Sequence, residues 1–288
     1  VSVEGKQRGE EMMTDVGSRA LGEKTLLTVS DGVLRIGPDR LFKNIPVEQS
    51  APLLRSVDER GHALVPMRSL LIRVGPRLIL VDTGLGRHSP LRPEPGTLLD
   101  EMAAAGIQPT DVTDVVISHA HGDHLGWSTS DDERGRRPTF VNARYWMSSA
   151  ELRHWSQPVH LDAIPALRTH LPVLAASGQL ELVEGEAEIA PGVRLIPTPG
   201  HTPGHQSVLI TDGSVAALFT GDLSHHPLHY EKPNWGSQFD TDSDLAYRTR
   251  LRVFQQAAAD HVLLVSYHHP TPFGYATYHG AAFRWEPV

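Results

Sequence analysis

The 288-residue chain has no cysteine. No disulfide can add to its stability, and no thiolate can hold a metal. It has no apolar run approaching the ~20 residues that cross a bilayer, so no membrane partner is expected. Nor does it have an internal repeat or a stripe of Lys and Arg. Twenty-six basic against 34 acidic side chains leave a net charge of −8, which argues against nucleic acid as a partner. The one dense basic patch, Arg134-Gly135-Arg136-Arg137, follows Asp131-Asp132-Glu133 and reads as a solvated, self-neutralising loop. The first fourteen residues have no apolar h-region, so no secretory leader is expected and a cytoplasmic location is the default. Met12-Met13 sits where a start codon could lie. Residues 1–20 are expected to be a flexible extension, and residues 21–288 a single domain; 40% hydrophobic and 21% charged residues suffice for an ordinary core.

Histidine is what the chain has in quantity, and in one pattern. His119-Ala120-His121-Gly122-Asp123-His124 follows the apolar run Val115-Val116-Ile117. In an extended segment, side chains two apart point the same way. His119 and His121 can therefore pinch one cation, while Asp123 and His124, as the chain turns, reach a second. Imidazole and carboxylate together suit zinc and other borderline first-row metals. Further candidates stand just past other short apolar runs: His201 and His205 after Val193–Ile196, Asp222 after Ala216–Phe219, and His268-His269 after Val262–Val265. Short apolar runs bounded by turn residues read as buried strands ending at loops. Extended geometry puts His268 and His269 on opposite faces, so only one serves.

Other segments complete the reading. Asp31-Gly32 reads as a hairpin turn inside 24–42, and Gly75-Pro76 as another between Leu70–Val74 and Leu78–Val81. Residues 43–66 read as a loop excursion near the site rim, either a lid or a dimer arm. Helices are expected over 97–105, 148–155, 161–176 and 242–259, with strands at 139–141, 180–183, 193–196, 207–210 and 215–219. Val262–Val265 is expected to be the closing strand.

The succession of Val81-Asp82-Thr83-Gly84, the His-x-His-x-Asp-His core, Pro199-Gly200-His201, Thr220-Gly221-Asp222 and a late His resembles the metallo-β-lactamase fold superfamily over residues 65–270. The resemblance implies an αββα sandwich, an α+β arrangement of two mixed sheets with helices outside, and two divalent metal ions on one edge. Zinc is the first choice, with manganese, iron or cobalt as alternatives. By motif position, His119, His121 and His201 would hold one metal. Asp123, His124 and His268 would hold the other, and Asp222 would bridge. Asp82 and His205 would support these ligands from behind. The missing cysteine separates the chain from the lactamases that use a Cys ligand. The pattern looks like the branches of glyoxalase II, acyl-homoserine lactonases and methyl parathion hydrolase.

Such a centre implies attack by a bridging hydroxide on an ester-type small molecule: a lactone, an aryl or acyl ester, or an organophosphate triester. Asp123 would orient the hydroxide. His225 stands where acyl-homoserine lactonases commonly place a Tyr, and it is the expected proton donor or leaving-group contact, ahead of His226 and His229. Trp127, Trp235 and Phe273 are the expected walls of the substrate pocket. Because no Arg/Lys cluster marks the loops, an aryl or acyl ester, a lactone or a neutral organophosphate is expected to fit better than a highly charged phosphate. The alternatives are a mononuclear iron persulfide dioxygenase, a β-lactam hydrolase, and a catalytically inactive binding module. A homodimer is compatible with everything read so far.

Overall fold

The computed structural model describes residues 17–288 other than 88 and 134; residues 1–16 of the expected extension lie outside the described residues. The first sheet uses β1 (Ser18–Leu21), β2 (Lys24–Ile36), β3 (Ala63–Val74), β4 (Arg77–Val81) and β5 (Asp114–Val116), and is completed, past a hairpin of β6 (Thr129–Asp132) and β7 (Gly135–Pro138), by β8 (Arg144–Ser148) and β9 (Leu180–Val183). The second sheet runs in chain order: β10 (Ala187–Ala190), β11 (Val193–Pro197), β12 (Gln206–Asp212), β13 (Val215–Phe219), β14 (Leu263–Val265), β15 (Phe273–His279) and β16 (Ala282–Pro287). Both sheets are mixed. The first is antiparallel through β4 and parallel beyond it, and the second has one parallel pair, β13 with β14.

Alternation along the strands explains the layering. Ile79 and Val81 face the second sheet, while Leu78 and Leu80 face outward; Val116 points in, Val115 and Ile117 out. The inward set meets Leu195, Val208, Ile210, Phe219 and Val265 between the sheets. Truncating fully buried Phe219 to Ala there should cost about 3–5 kcal/mol. Outside the first sheet lie α1 (Leu98–Ala104), α2 (Ser149–Trp155) and α3 (Pro165–Ser177), whose Leu98, Met102, Trp155, Leu167, Leu171 and Leu174 bury against it. Outside the second lies α4 (Ser243–Ala259). Its buried Ala246, Arg250, Val253, Phe254 and Ala257 repeat at helical spacing, and its N-cap Asp242 accepts from Leu245 N–H at 2.9 Å. This is the expected αββα sandwich.

Several local expectations fail. Asp31-Gly32 is no hairpin turn, because β2 continues through it along the whole length of β3 with a bulge between Ser30 and Gly32. The bulge turns Asp31 inward, where its carboxylate accepts from Leu85 N–H, Leu98 N–H and the Trp127 indole. Burial raises its pKa to about 6. Residues 139–141 form a bend, not a strand, and β8 follows. The segment 161–176 is two helices, Pro158–Ala163 and α3, because Pro165 opens the second. β14 does not close the fold: β15 and β16 extend the sheet beyond it. β1 begins at Ser18, so the end of the expected extension is part of the first sheet. Arg134 of the basic patch lies outside the described residues; Arg136 and Arg137 lie in β7, where Arg136 pairs with Asp131 and Arg137 with Asp132.

Candidate metal centre

Five strand ends meet on one edge of the sandwich. The end of β4 brings Asp82, β5 leads into His119–His124, β11 into His201, β13 into Asp222 and β14 into His268. The backbone is extended to His121, then makes a helical turn over Gly122–Leu125. That switch aims the first two histidines one way and Asp123 with His124 the other. Two groups of donors result: His119, His121, His201 and Asp222, and beside them Asp123, His124 and His268.

Asp222 stands between the groups. Its Oδ2 lies 3.6 Å from His119 Nε2 and 3.2 Å from His201 Nε2. Its Oδ1 lies 3.2 Å from His124 Nε2 and 3.3 Å from His268 Nε2. His121 Nδ1 is 3.1 Å from His119 Nε2 and 3.0 Å from His201 Nε2. Each oxygen of one carboxylate thus faces a different group of imidazoles. Asp222 Oδ1 and His124 Nε2 are buried with no hydrogen-bond partner, a costly arrangement unless a cation takes both. A sulfur-free set of nitrogen and carboxylate donors fits two divalent borderline cations, zinc among them.

The far ring nitrogens are also engaged, as in metal-binding histidines generally. His124 Nδ1 meets Asp82 Oδ2 at 2.8 Å, His201 Nδ1 meets Asp240 Oδ1 at 3.0 Å, His268 Nδ1 meets the Pro66 carbonyl at 2.8 Å, and His119 Nδ1 meets Ser118 Oγ at 3.1 Å. Asp82 also accepts from Ser118 N–H and Oγ–H at 2.7 Å each. Asp82 holds φ at +61°, a left-handed conformation uncommon for any residue but Gly, so strain is kept at this point. His205 takes the backbone: its Nε2 accepts from Asp222 N–H at 3.0 Å. Gly221, at φ +52°, permits this approach, because a Cβ there would lie 2.6 Å from that nitrogen. Burial pulls the His205 pKa down to about 3, so the ring stays neutral and can accept.

The electrostatics divide the imidazoles. Burial, then the neighbouring imidazoles, hold His119 and His121 well below the usual histidine range. Burial opposes charge on His124 too, but Asp222, Asp82 and Asp123 together hold it well above that range. His201 rises to about 9 against burial, through Asp222 and Asp240. Burial works to raise Asp222, yet His124, His268, His225 and His119 keep it well below the usual carboxylate range.

A cavity of about 990 Å³ opens over this edge, with His121, Asp123, Asp222, His225 and His268 on its floor. Trp127 is on its wall. Trp235 and Phe273 are not. Trp235 packs on Phe42 with ring centroids 5.1 Å apart, and Phe273 pairs with Val265 on the inner face of β15; both belong to the core between the sheets. Leu34, Ile36, Leu85, Trp155 and Phe239 line the cavity instead. None of residues 43–66 lines it, and the segment is not all loop: Val47–Ser50 and Ala51–Leu53 are helical turns, and β3 begins at Ala63. The expectation of walls without basic side chains also fails: Arg35, Arg40, Arg87 and Arg136 all reach the cavity. His225 sits on the floor, its Nε2 3.2 Å from Asp222 Oδ2 but without the alignment of a hydrogen bond, its ring stacked on His268 at 5.5 Å. His226 and His229 turn away toward Phe42, and His269 toward Ser224.

Two supports escape sequence reading. Fully buried Glu151 in α2 accepts from Ala120 N–H at 2.8 Å and the Trp155 indole at 2.7 Å on one oxygen. On the other it accepts from Thr202 Oγ–H at 2.7 Å and Gly204 N–H at 3.0 Å. One carboxylate therefore ties the loop carrying His119 and His121 to the loop carrying His201. Asp240 is the other: it braces His201, and only its acidity in a loop near the site marks it.

Comparison with known proteins agrees with this geometry. Residues 66–269 match the family model of the metallo-beta-lactamase superfamily. An N-acyl homoserine lactonase of a Bacillus species is 28% identical over 209 residues, covering 65% of this chain and 76% of its own. A probable metallo-hydrolase of Mycobacterium tuberculosis is 31% identical over 179 residues, 54% of this chain and 56% of its own. The solved structure of AidC, a dizinc quorum-quenching lactonase in complex with the product N-hexanoyl-L-homoserine, has a TM-score of 0.85 at 26% identity, covering 96% of this chain and 98% of AidC. AbOPH, a hydrolase in the beta lactamase superfamily, also gives 0.85, at 25% identity over 95% of this chain and 97% of its own.

Proposed function

Because the chain belongs to the metallo-beta-lactamase superfamily, we propose that this metal-dependent hydrolase opens lactones and cleaves small acyl esters at a dizinc centre. One zinc is assigned to His119, His121 and His201, the other to Asp123, His124 and His268, with Asp222 shared. The observation that carries the reading is the Asp222 carboxylate, one oxygen toward each group of imidazoles, on the floor of a largely apolar cavity. When bound, two such cations supply a water that ionises near neutral pH and positive charge for an oxygen becoming anionic.

The chain's own residues supply the rest. Asp123 lines the cavity with Oδ2 3.6 Å from His268 Nε2, placed to accept a hydrogen bond from the attacking water and hold it toward the acyl carbon. Leu34, Ile36, Leu85, Trp127 and Phe239 take the acyl chain and exclude bulk water. Both ring nitrogens of His225 are buried and make no hydrogen bond, although Nε2 lies 3.2 Å from Asp222 Oδ2, so its N–H is available to donate to the leaving oxygen. The likeness to AidC supports a lactone over a β-lactam.

The test is a panel of N-hexanoyl homoserine lactone, p-nitrophenyl acetate, paraoxon and a β-lactam, with metal content measured on the same protein. Turnover of the lactone and the ester by protein holding two zinc ions is expected. Preference for the β-lactam would overturn the reading, as would one iron per chain with oxygen uptake on a persulfide. His225→Phe should lower kcat about 100-fold at unchanged metal content. Loss of metal from that variant would make His225 a structural residue instead.

A further inference from the structure

Among the described residues, two guanidinium groups at the cavity walls have no acid to answer them. Arg40, in the helical turn Pro38–Leu41, lies over the Phe239 ring at 5.1 Å, and Arg87, in the loop after β4, over the Trp127 ring at 5.9 Å. Both are exposed and both line the cavity. The acids lining it are engaged elsewhere: Asp131 with Arg136, Asp240 with His201, Asp123 and Asp222 with the ligand imidazoles. Among the described residues, neither Arg40 nor Arg87 has an ion-pair partner. In a chain of net charge −8, this is a local excess of positive charge beside a reactive centre.

The spacing relates it to the substrate. The Phe239 ring is 5.9 Å from the His225 ring, and His225 faces Asp222. One aromatic ring therefore separates Arg40 from the place where the scissile bond would lie. An ester with its carbonyl over Asp222 and its acyl chain along Phe239 would present the far end of that chain to a guanidinium. Stacking on a ring holds the planar fork in orientation, and such a fork matches a carboxylate with two parallel hydrogen bonds.

We propose that the cavity selects esters and lactones whose acyl portion carries a carboxylate remote from the scissile bond, received by Arg40, with Arg87 adding positive charge to the same cavity. This rests on the hydrolase reading above. Two p-nitrophenyl esters of equal chain length, the pentanoate and the hemiglutarate, differ only in that carboxylate. With the zinc-loaded protein, kcat/KM should favour the hemiglutarate about tenfold or more, chiefly through KM, with the margin shrinking at high salt. Arg40→Gln and Arg87→Gln, both exposed positions, should each move the ratio toward one. A ratio of one or less in the unmodified protein, or a ratio that neither substitution changes, overturns the proposal. If neither ester is cleaved, the ester reading fails, and calorimetric binding of glutarate against pentanoate then judges this inference alone. Tighter glutarate binding that is lost in the arginine variants sustains it, and equal binding overturns it.

Discussion

The two sheets furnish the metal centre in opposite ways. The first supplies four donors within six residues, His119, His121, Asp123 and His124, from one loop whose own turn aims them. The second supplies three donors singly, His201, Asp222 and His268, from the ends of three strands. Each of these three depends on a partner distant in the chain: Asp240 for His201, His205 for the Asp222 backbone, the Pro66 carbonyl for His268. A contiguous cluster is organised by local backbone geometry, whereas a dispersed set is organised only when the sandwich closes.

The severest test of the comparison is the residue that stands between the two groups. Asp222→Ala should remove the carboxylate that faces both groups, drop metal content well below two per chain and lower kcat/KM at least about 1,000-fold. Elemental analysis alongside kinetics checks it. A variant that keeps two metals and most of its activity would show that the groups do not share Asp222.

A smaller effect should separate the supports. Asp82 reaches His124 directly and His119 through Ser118, while Glu151 ties the His119–His121 loop to the His201 loop. Substituting such a partner typically costs 10–100-fold in metal affinity or activity, so about that range is expected for each. Asp82→Asn should weaken both metals. Glu151→Gln, whose amide must turn an N–H toward two of the present donors, should weaken chiefly the one held with His201. Titration of the metal-free variants with zinc distinguishes the two patterns. Identical weakening of both sites in both variants would show that the halves are not separately braced.

The same contrast governs what could be read from sequence. The four clustered donors and the strand ahead of them were legible because spacing and periodicity are local. His201, Asp222 and His268 were placed by the order of motifs; alternation along an extended chain allowed only one of His268 and His269, and the motif pattern chose His268. Asp31 misled: Asp-Gly is a turn signal, and only the long pairing of β2 with β3 makes it a bulge whose carboxylate holds Leu85, Leu98 and Trp127. Glu151 was invisible, because an acid on an amphipathic helix looks like any solvated one until its four donors, from three segments, surround it. Trp235 and Phe273 were misassigned because a large aromatic beside a site loop carries no mark of which way its ring turns. The arginines on the wall come from segments separated along the chain, so no cluster showed.

The mildest expected effect is on stability in acid, and it asks whether one buried histidine against each sheet contributes separately. His170, in α3 against the first sheet, and His226, in the loop after β13 of the second, are each held at a pKa of about 4, mainly by burial. An unfolded chain binds a proton at each near pH 6.5, so between about 4 and 6.5 it holds more protons than the folded one. Stability from each group is therefore complete above pH 6.5 and is lost as the pH falls toward 4, by about 2 kcal/mol at pH 5. His170→Asn and His226→Asn should each flatten the fall of Tm between pH 7 and 5. Because the residues sit against different sheets, the double variant should flatten it by the sum. A double variant no flatter than either single one would mean that the two histidines do not contribute independently to the acid response.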